Sequence, residues 1–104
     1  MKHVNYLEVE GRRVEEAGAR GVVLRTVIGD LDKAPNFHMR VISFEEGGAT
    51  TRHSHPWEHE VFILKGEGSV DVDGKTVALQ PGDVVFVPPG SEHCFQSAQG
   101  MEML

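Results

Sequence analysis

Val61-Phe62-Ile63-Leu64-Lys65-Gly66-Glu67-Gly68-Ser69-Val70-Asp71-Val72-Asp73-Gly74-Lys75-Thr76-Val77-Ala78-Leu79 reads as three short β-strands joined by two turns. Branched and aromatic side chains fill the strand positions, and the glycines punctuate them. Asp73-Gly74, set between Val70/Val72 and Val77/Leu79, predicts a type I′ hairpin, because that turn needs two positive φ angles and Asp-Gly tolerates both. Downstream, Pro81-Gly82 and Pro88-Pro89-Gly90 bracket a further strand, Asp83 to Val87. Upstream, Gly21 to Ile28 and Phe37 to Phe44 read as strands, with Gly29-Asp30 and Gly47-Gly48 as the breaks after them. Arg12 to Arg20 is the one candidate helix, and Gly18 limits it to a single turn. Strands at this spacing, with no internal repeat, predict an all-β sandwich or barrel.

The chain has 104 residues, the length of one domain, and residues 1–104 are expected to form it with an N-terminal arm over about residues 1–20. Hydrophobic residues at 39% supply a single modest core. Ten Lys and Arg against sixteen Asp and Glu leave a formal charge of -6, which repels phosphate backbones; neither nucleic acid nor an anionic membrane is an expected partner. Cys94 stands alone, so no internal disulfide forms, and Met1 to Glu10 lacks the apolar run of a signal peptide or spanning helix. A soluble cytoplasmic protein is the expectation.

Four of the six histidines, His53, His55, His59 and His93, suggest chemistry. In extended chain the side chains alternate, so His53 and His55 point to one side and can chelate a common ion. Pro56-Trp57-Glu58 turns the chain, and His59 opens the next strand on the face of Val61 and Ile63. His93 follows the rigid Pro88-Pro89-Gly90 turn, and a barrel would bring it opposite the other three. Taken alone, His53-Ser54-His55 is equally a pair of surface histidines in a polar loop. Imidazole suits Zn, Fe, Ni and Cu, while Mn more often takes oxygen, so the donors alone do not choose the metal. Glu60 is the rival to His59; strand parity points it outward with Phe62 and Leu64.

Gly47, His53, His55, His59 and Gly66 fit the frame G-x5-H-x-H-x3,4-E-x6-G, with His59 in the glutamate slot; the four-residue spacing would admit Glu60, and the six-residue run to Gly66, counted from His59, decides for the histidine. Gly82, Pro88, Gly90 and His93 fit G-x5-P-x-G-x2-H-x3-N, with Ser97 in place of Asn. These are the two motifs of the cupin superfamily, which the chain resembles from Gly47 to Ser97. Ala34-Pro35-Asn36-Phe37, His53-Ser54-His55-Pro56-Trp57-Glu58-His59-Glu60 and Leu64-Lys65-Gly66 are similar, more narrowly, to the small four-histidine manganese cupins. That resemblance implies a jelly-roll β-barrel, a homodimer, a buried divalent ion with manganese first among the metals, and oxidative chemistry.

Four neutral nitrogens leave the charge of a bound ion uncompensated, and an octahedral ion would keep two positions open. These features serve redox and non-redox chemistry alike; the resemblance to the manganese cupins makes a Mn- or Fe-dependent oxidoreductase of dioxygenase type, acting on a small organic molecule, the expected function. The alternatives are a small-ligand carrier or sensor, a non-redox isomerase or decarboxylase, and a barrel that keeps metal for stability alone. Arg40 is the candidate to hold a substrate carboxylate, which guanidinium binds through paired hydrogen bonds; its bland counterpart is an edge arginine paired with Glu45 or Glu46. Phe95 shares the face of His93 and walls the pocket or packs the core, while Cys94 points the other way as a structural thiol. His38 is read as a non-ligand, and His3 and Glu58 as solvated. Trp57 either gates the pocket or packs at a surface. Met101 to Leu104 begins another strand, which cupins of the resembled type continue by several residues.

Overall fold

The extended segments become nine antiparallel strands in a computed structural model that describes residues 1–104, and no α-helix forms. They are β1 (Arg12–Arg13), β2 (Arg20–Ile28), β3 (Met39–Ala49), β4 (His59–Gly66), β5 (Gly68–Val72), β6 (Lys75–Leu79), β7 (Val84–Val87), β8 (His93–Ser97) and β9 (Met101–Met103). Two 3-10 turns, Tyr6–Glu8 and Asp30–Asp32, are the sole helical pieces. The sheet order is β6-β5-β8-β3-β9-β4-β7, with β2 on the other edge of β3 and β1 outside β2. Curled on itself, this antiparallel sheet is an all-β jelly-roll half-barrel, the expected class.

Two local expectations are corrected here. Arg12 to Arg20 carries no helical turn: β1 pairs with β2, the Val14 amide donates to Val22, and the chain reverses at Glu16–Ala19 with Gly18 at φ +88°. Two arginines already committed to a strand ladder leave too few residues for a helix to nucleate. Gly47-Gly48 does not end its strand either. There β2 advances two residues, Arg20 to Val22, while β3 spans Ala49 to Phe44, so the glycines form a bulge. A Cβ on Gly48 would lie 2.7 Å from the Gly21 carbonyl, which is why this close approach takes glycine. The turn expected at Gly66-Glu67-Gly68 is present and forms a corner: β4 pairs with β7 and β9, whereas β5 pairs with β6 and β8.

The Asp73-Gly74 hairpin forms as expected, with φ +52° and +86° and Val72 opposite Lys75. β8 and β9 run end to end along one edge of β3, and β9 fills the gap between β3 and β4. Alternation sorts the side chains of β4: Val61 and Ile63 are buried, while Glu60, Phe62 and Leu64 are exposed. The core is Val22, Phe44, Val61, Ile63, Val70, Leu79, Phe95, Met101 and Met103. Phe37, expected in a strand, precedes β3 and is 66% exposed. No helix is long and apolar enough to cross a membrane.

Candidate metal centre

His53 and His93 join the two motif segments directly. Each amide donates to the other's carbonyl, at 3.1 and 2.9 Å, in an isolated bridge between the chain before β4 and the start of β8. Thr50 secures the same junction further along: its amide donates to the Phe95 carbonyl, and its hydroxyl accepts the Phe95 amide, both at 2.9 Å. Pro88-Pro89-Gly90 delivers β8 into place, with the Gly90 amide donating to the His55 carbonyl at 2.8 Å. His59, first residue of β4, points the same way as Val61 by strand parity.

These constraints gather His53, His55, His59 and His93, with one ring nitrogen of each lying within 4.8 Å of the others. His93 is 3% exposed, and the set grades from there to the exposed His53. Two rings are oriented by the backbone. His55 Nδ1–H donates to the Trp57 carbonyl at 2.8 Å, and His93 Nδ1–H donates to the Ser91 carbonyl at 2.9 Å. That fixes their tautomers and aims unprotonated Nε2 atoms at the cluster, the arrangement usual for histidines that bind metal. His55 Nε2 and His59 Nε2 are 2.9 Å apart, so His59 is the donor across that gap.

Electrostatics disfavour the protonated form of two of the rings, His59 and His53. The His59 pKa is pushed down to about 4, first by burial and then by His55 and Arg40, and that of His53 is lowered by burial and by His93 and His55. Four imidazoles whose ring nitrogens converge fit a divalent transition metal. Glu60 stands outside this group: it is exposed, and a hydrogen bond with Glu58 raises its pKa.

Arg40 lines the same open cavity of 1920 Å³ as the histidines, and its charge depresses the pKa of both His59 and His53. Of the acids weighed as its partner, Glu45 is taken by Arg13 at 2.7 Å. Phe95 does both things expected of it, lining the cavity and sitting 3% exposed in the core. His38 lies outside the cluster beside Asp30 at 3.2 Å, His3 is exposed, and Cys94 is half-buried opposite Asp71 on β5.

Two neighbours of the site have no motif to announce them. Trp57 stacks on His55 at 4.4 Å with the rings 4° from parallel, besides lending its carbonyl. Glu16 reaches the cavity from the turn before β2, which Thr51 Oγ1 holds by donating to the Ala17 carbonyl at 2.9 Å; its charge works on His53 against the effect of Arg40. The hydrophobicity of Trp57 and the reversal at Gly18 were the available signals, and neither specifies a position.

Residues 40–104 match the cupin domain family. The chain is 39% identical over 67 residues to a mannose-1-phosphate guanylyltransferase of Escherichia coli, covering 62% of this chain and 14% of that protein. It is 30% identical over 95 residues to an acireductone dioxygenase of Bacillus cereus, covering 86% of this chain and 53% of the dioxygenase. Among solved structures, the polyketide cyclase RemF from Streptomyces resistomycificus superposes with a TM-score of 0.92 at 31% identity, over 99% of this chain and 75% of that one. A predicted oxalate decarboxylase from Thermotoga maritima superposes at 0.86 with 24% identity, over 98% and 94%, a likeness of fold.

Proposed function

Because the chain belongs to the cupin family, we propose that it is a metal-dependent oxidoreductase of dioxygenase type acting on a small organic molecule, with His53, His55, His59 and His93 as the metal ligands. The observation that carries this reading is the convergence of four ring nitrogens within 4.8 Å, two of them aimed by backbone carbonyls. The likeness to acireductone dioxygenase over 95 residues supports the oxidative class. Manganese is the proposed metal on the motif resemblance, with iron the other redox choice and Ni, Zn and Cu the non-preferred ions that imidazole also accepts. When bound, such an ion supplies Lewis acidity and one-electron chemistry at positions the four imidazoles leave open.

The chain's own residues do the rest. Arg40 binds and orients a substrate carboxylate on the cavity side of the histidines. Phe95 and the core behind it exclude water from one wall, which strengthens that ionic contact. Burial and the neighbouring charges keep the His59 ring unprotonated, and so available as a ligand, through the mildly acidic range. A second reading, non-redox cyclisation or a related isomerase or decarboxylase reaction, draws on the 31% identity with RemF, and the same site serves it.

We propose further that the chain works as a single cytoplasmic domain in a homodimer. Phe62 and its cross-strand neighbour Val84 are 44% and 72% exposed on the outer face of β4 and β7, with Phe86 at 56% beside them. Sedimentation is expected to give a species of twice 11.5 kDa at micromolar concentration; a monomer overturns the dimer. The function is tested by metal analysis of untagged protein, followed by oxygen uptake with a panel of enolisable carboxylates. Turnover by Mn- or Fe-loaded protein and none by metal-free protein is expected. Metal-dependent substrate conversion without oxygen uptake favours the second reading.

A further inference from the structure

Immediately outside the His53–His93 bridge lies a cluster of charges that the proposed chemistry does not use. Arg52 precedes one candidate ligand in the chain and Glu92 precedes another. Arg52 Nη1 is 3.0 Å from Asp71 Oδ1 and 3.4 Å from Glu92 Oε1, so one guanidinium nitrogen faces two carboxylates. Asp71 is the fixed point: on β5 it is 17% exposed, its Oδ2 accepts Thr76 Oγ1 at 2.7 Å, and its Oδ1 accepts the Gly74 amide at 3.1 Å. The backbone of Glu92 is pinned to the same hairpin. Its amide donates to Asp73 Oδ1 at 2.9 Å, and its carbonyl accepts the Asp73 amide at 2.8 Å.

The segment carrying His93 is therefore tied to β5 by its own backbone, and the segment carrying His53 is anchored on either side, through Thr50 to the Phe95 backbone and through the His55 carbonyl to the Gly90 amide. It meets His93 through one isolated bridge, with no ladder running through Ser54 or Arg52. Between those anchors, a twist of the short stretch through Arg52 and Ser54 would swing the His53 ring out of its edge-on packing at 4.9 Å from His93. Arg52 supplies a side-chain attachment within that stretch, one residue from His53.

We propose that Arg52 is a positioning residue of the metal centre: by bridging Asp71 and Glu92 it holds the His53 segment at a fixed angle to the His93 segment, and so sets how tightly the site retains its ion. The inference rests on the reading of the four histidines as ligands. Exposed ion pairs add little to global stability, so the clamp acts on metal retention far more than on melting. The arrangement has the logic of preorganisation, in which the ordering of ligand segments is completed before the ion arrives.

The test compares the affinity of the full chain for Mn²⁺ and Co²⁺, by competition with a chelator, with that of its Arg52→Gln, Arg52→Lys and Asp71→Asn variants, alongside the melting of each metal-free protein. Arg52→Gln is expected to weaken binding about tenfold, the low end for losing a group that supports metal ligands, while moving the metal-free midpoint by only a few degrees. Arg52→Lys keeps most of the affinity, because a point charge can face both carboxylates. Asp71→Asn combined with Arg52→Gln costs scarcely more than the Arg52 change alone. Wild-type affinity in Arg52→Gln, or a loss matched by a comparable loss of metal-free stability, overturns the positioning role and leaves the ligand reading intact. Failure of the unaltered chain to bind either ion overturns both.

Discussion

His59 and Glu60 are adjacent ligand candidates, and the pleat of β4 puts them on opposite sides of the sheet: one ring faces the histidine cluster and the other side chain lies exposed beside Glu58. His59→Ala is accordingly expected to lower metal content sharply and Glu60→Gln to leave it unchanged, as read by metal analysis of each purified variant; the reverse pattern would exchange the two roles. Arg40→Ala is expected to raise KM at least about tenfold with metal content preserved, since it removes a paired ionic contact to substrate and touches no ligand. Steady-state kinetics beside metal analysis separate those effects. The gathered histidines were legible in the sequence because period-two alternation and a rigid Pro-Pro-Gly turn are local facts. The role of Trp57 and the presence of Glu16 were not. Trp57 orients His55 through a backbone carbonyl, which every residue type possesses, and Glu16 arrives through a reversal whose partner, Thr51, is distant in the chain.

Glycines carry the corresponding lesson for elements. Gly66-Glu67-Gly68 and Asp73-Gly74 look alike as punctuation, yet one turns the chain between layers and the other closes a hairpin. What separates them is packing that no local pattern encodes. A Cβ on Gly66 would fall 2.2 Å from the Gly100 carbonyl oxygen at φ +81°, whereas one on Gly74, at φ +86°, would meet nothing within 4 Å. Gly74→Ala is therefore expected to cost about 1–2 kcal/mol, the penalty of a left-handed backbone alone. Gly66→Ala is expected to cost well over about 3 kcal/mol, or to prevent folding, because the clash is with immobile backbone. Urea denaturation of the two variants checks the contrast, and equal losses would remove the argument. The Gly47-Gly48 bulge escaped a sequence reading for the same reason: its cause is the approach of Gly21 from β2.

For the whole molecule, the neutral histidines make stability depend on pH in a definite direction. The pKa of His59 is about 4 in the fold against 6.5 when unperturbed, and that of His53 is lowered too, so between these values the unfolded chain binds more protons than the folded one. Stability conferred by these rings is complete above about pH 6.5 and is lost as the pH falls toward 4. The melting midpoint of metal-free protein is expected to drop across that window, with the drop reduced when His59 is replaced by Gln; calorimetry at stepped pH reads it. The place of β9 carries a different consequence. Met101–Met103 is the last strand in chain order yet lies between β3 and β4, and Leu104 exchanges backbone hydrogen bonds with Phe62 at 2.8 and 2.9 Å. During synthesis, then, the facing edges of β3 and β4 wait unpaired until that strand leaves the ribosome. Throughout that interval the nascent chain offers open β-edges to its neighbours on the polysome, an exposure that ends only when β9 closes the gap.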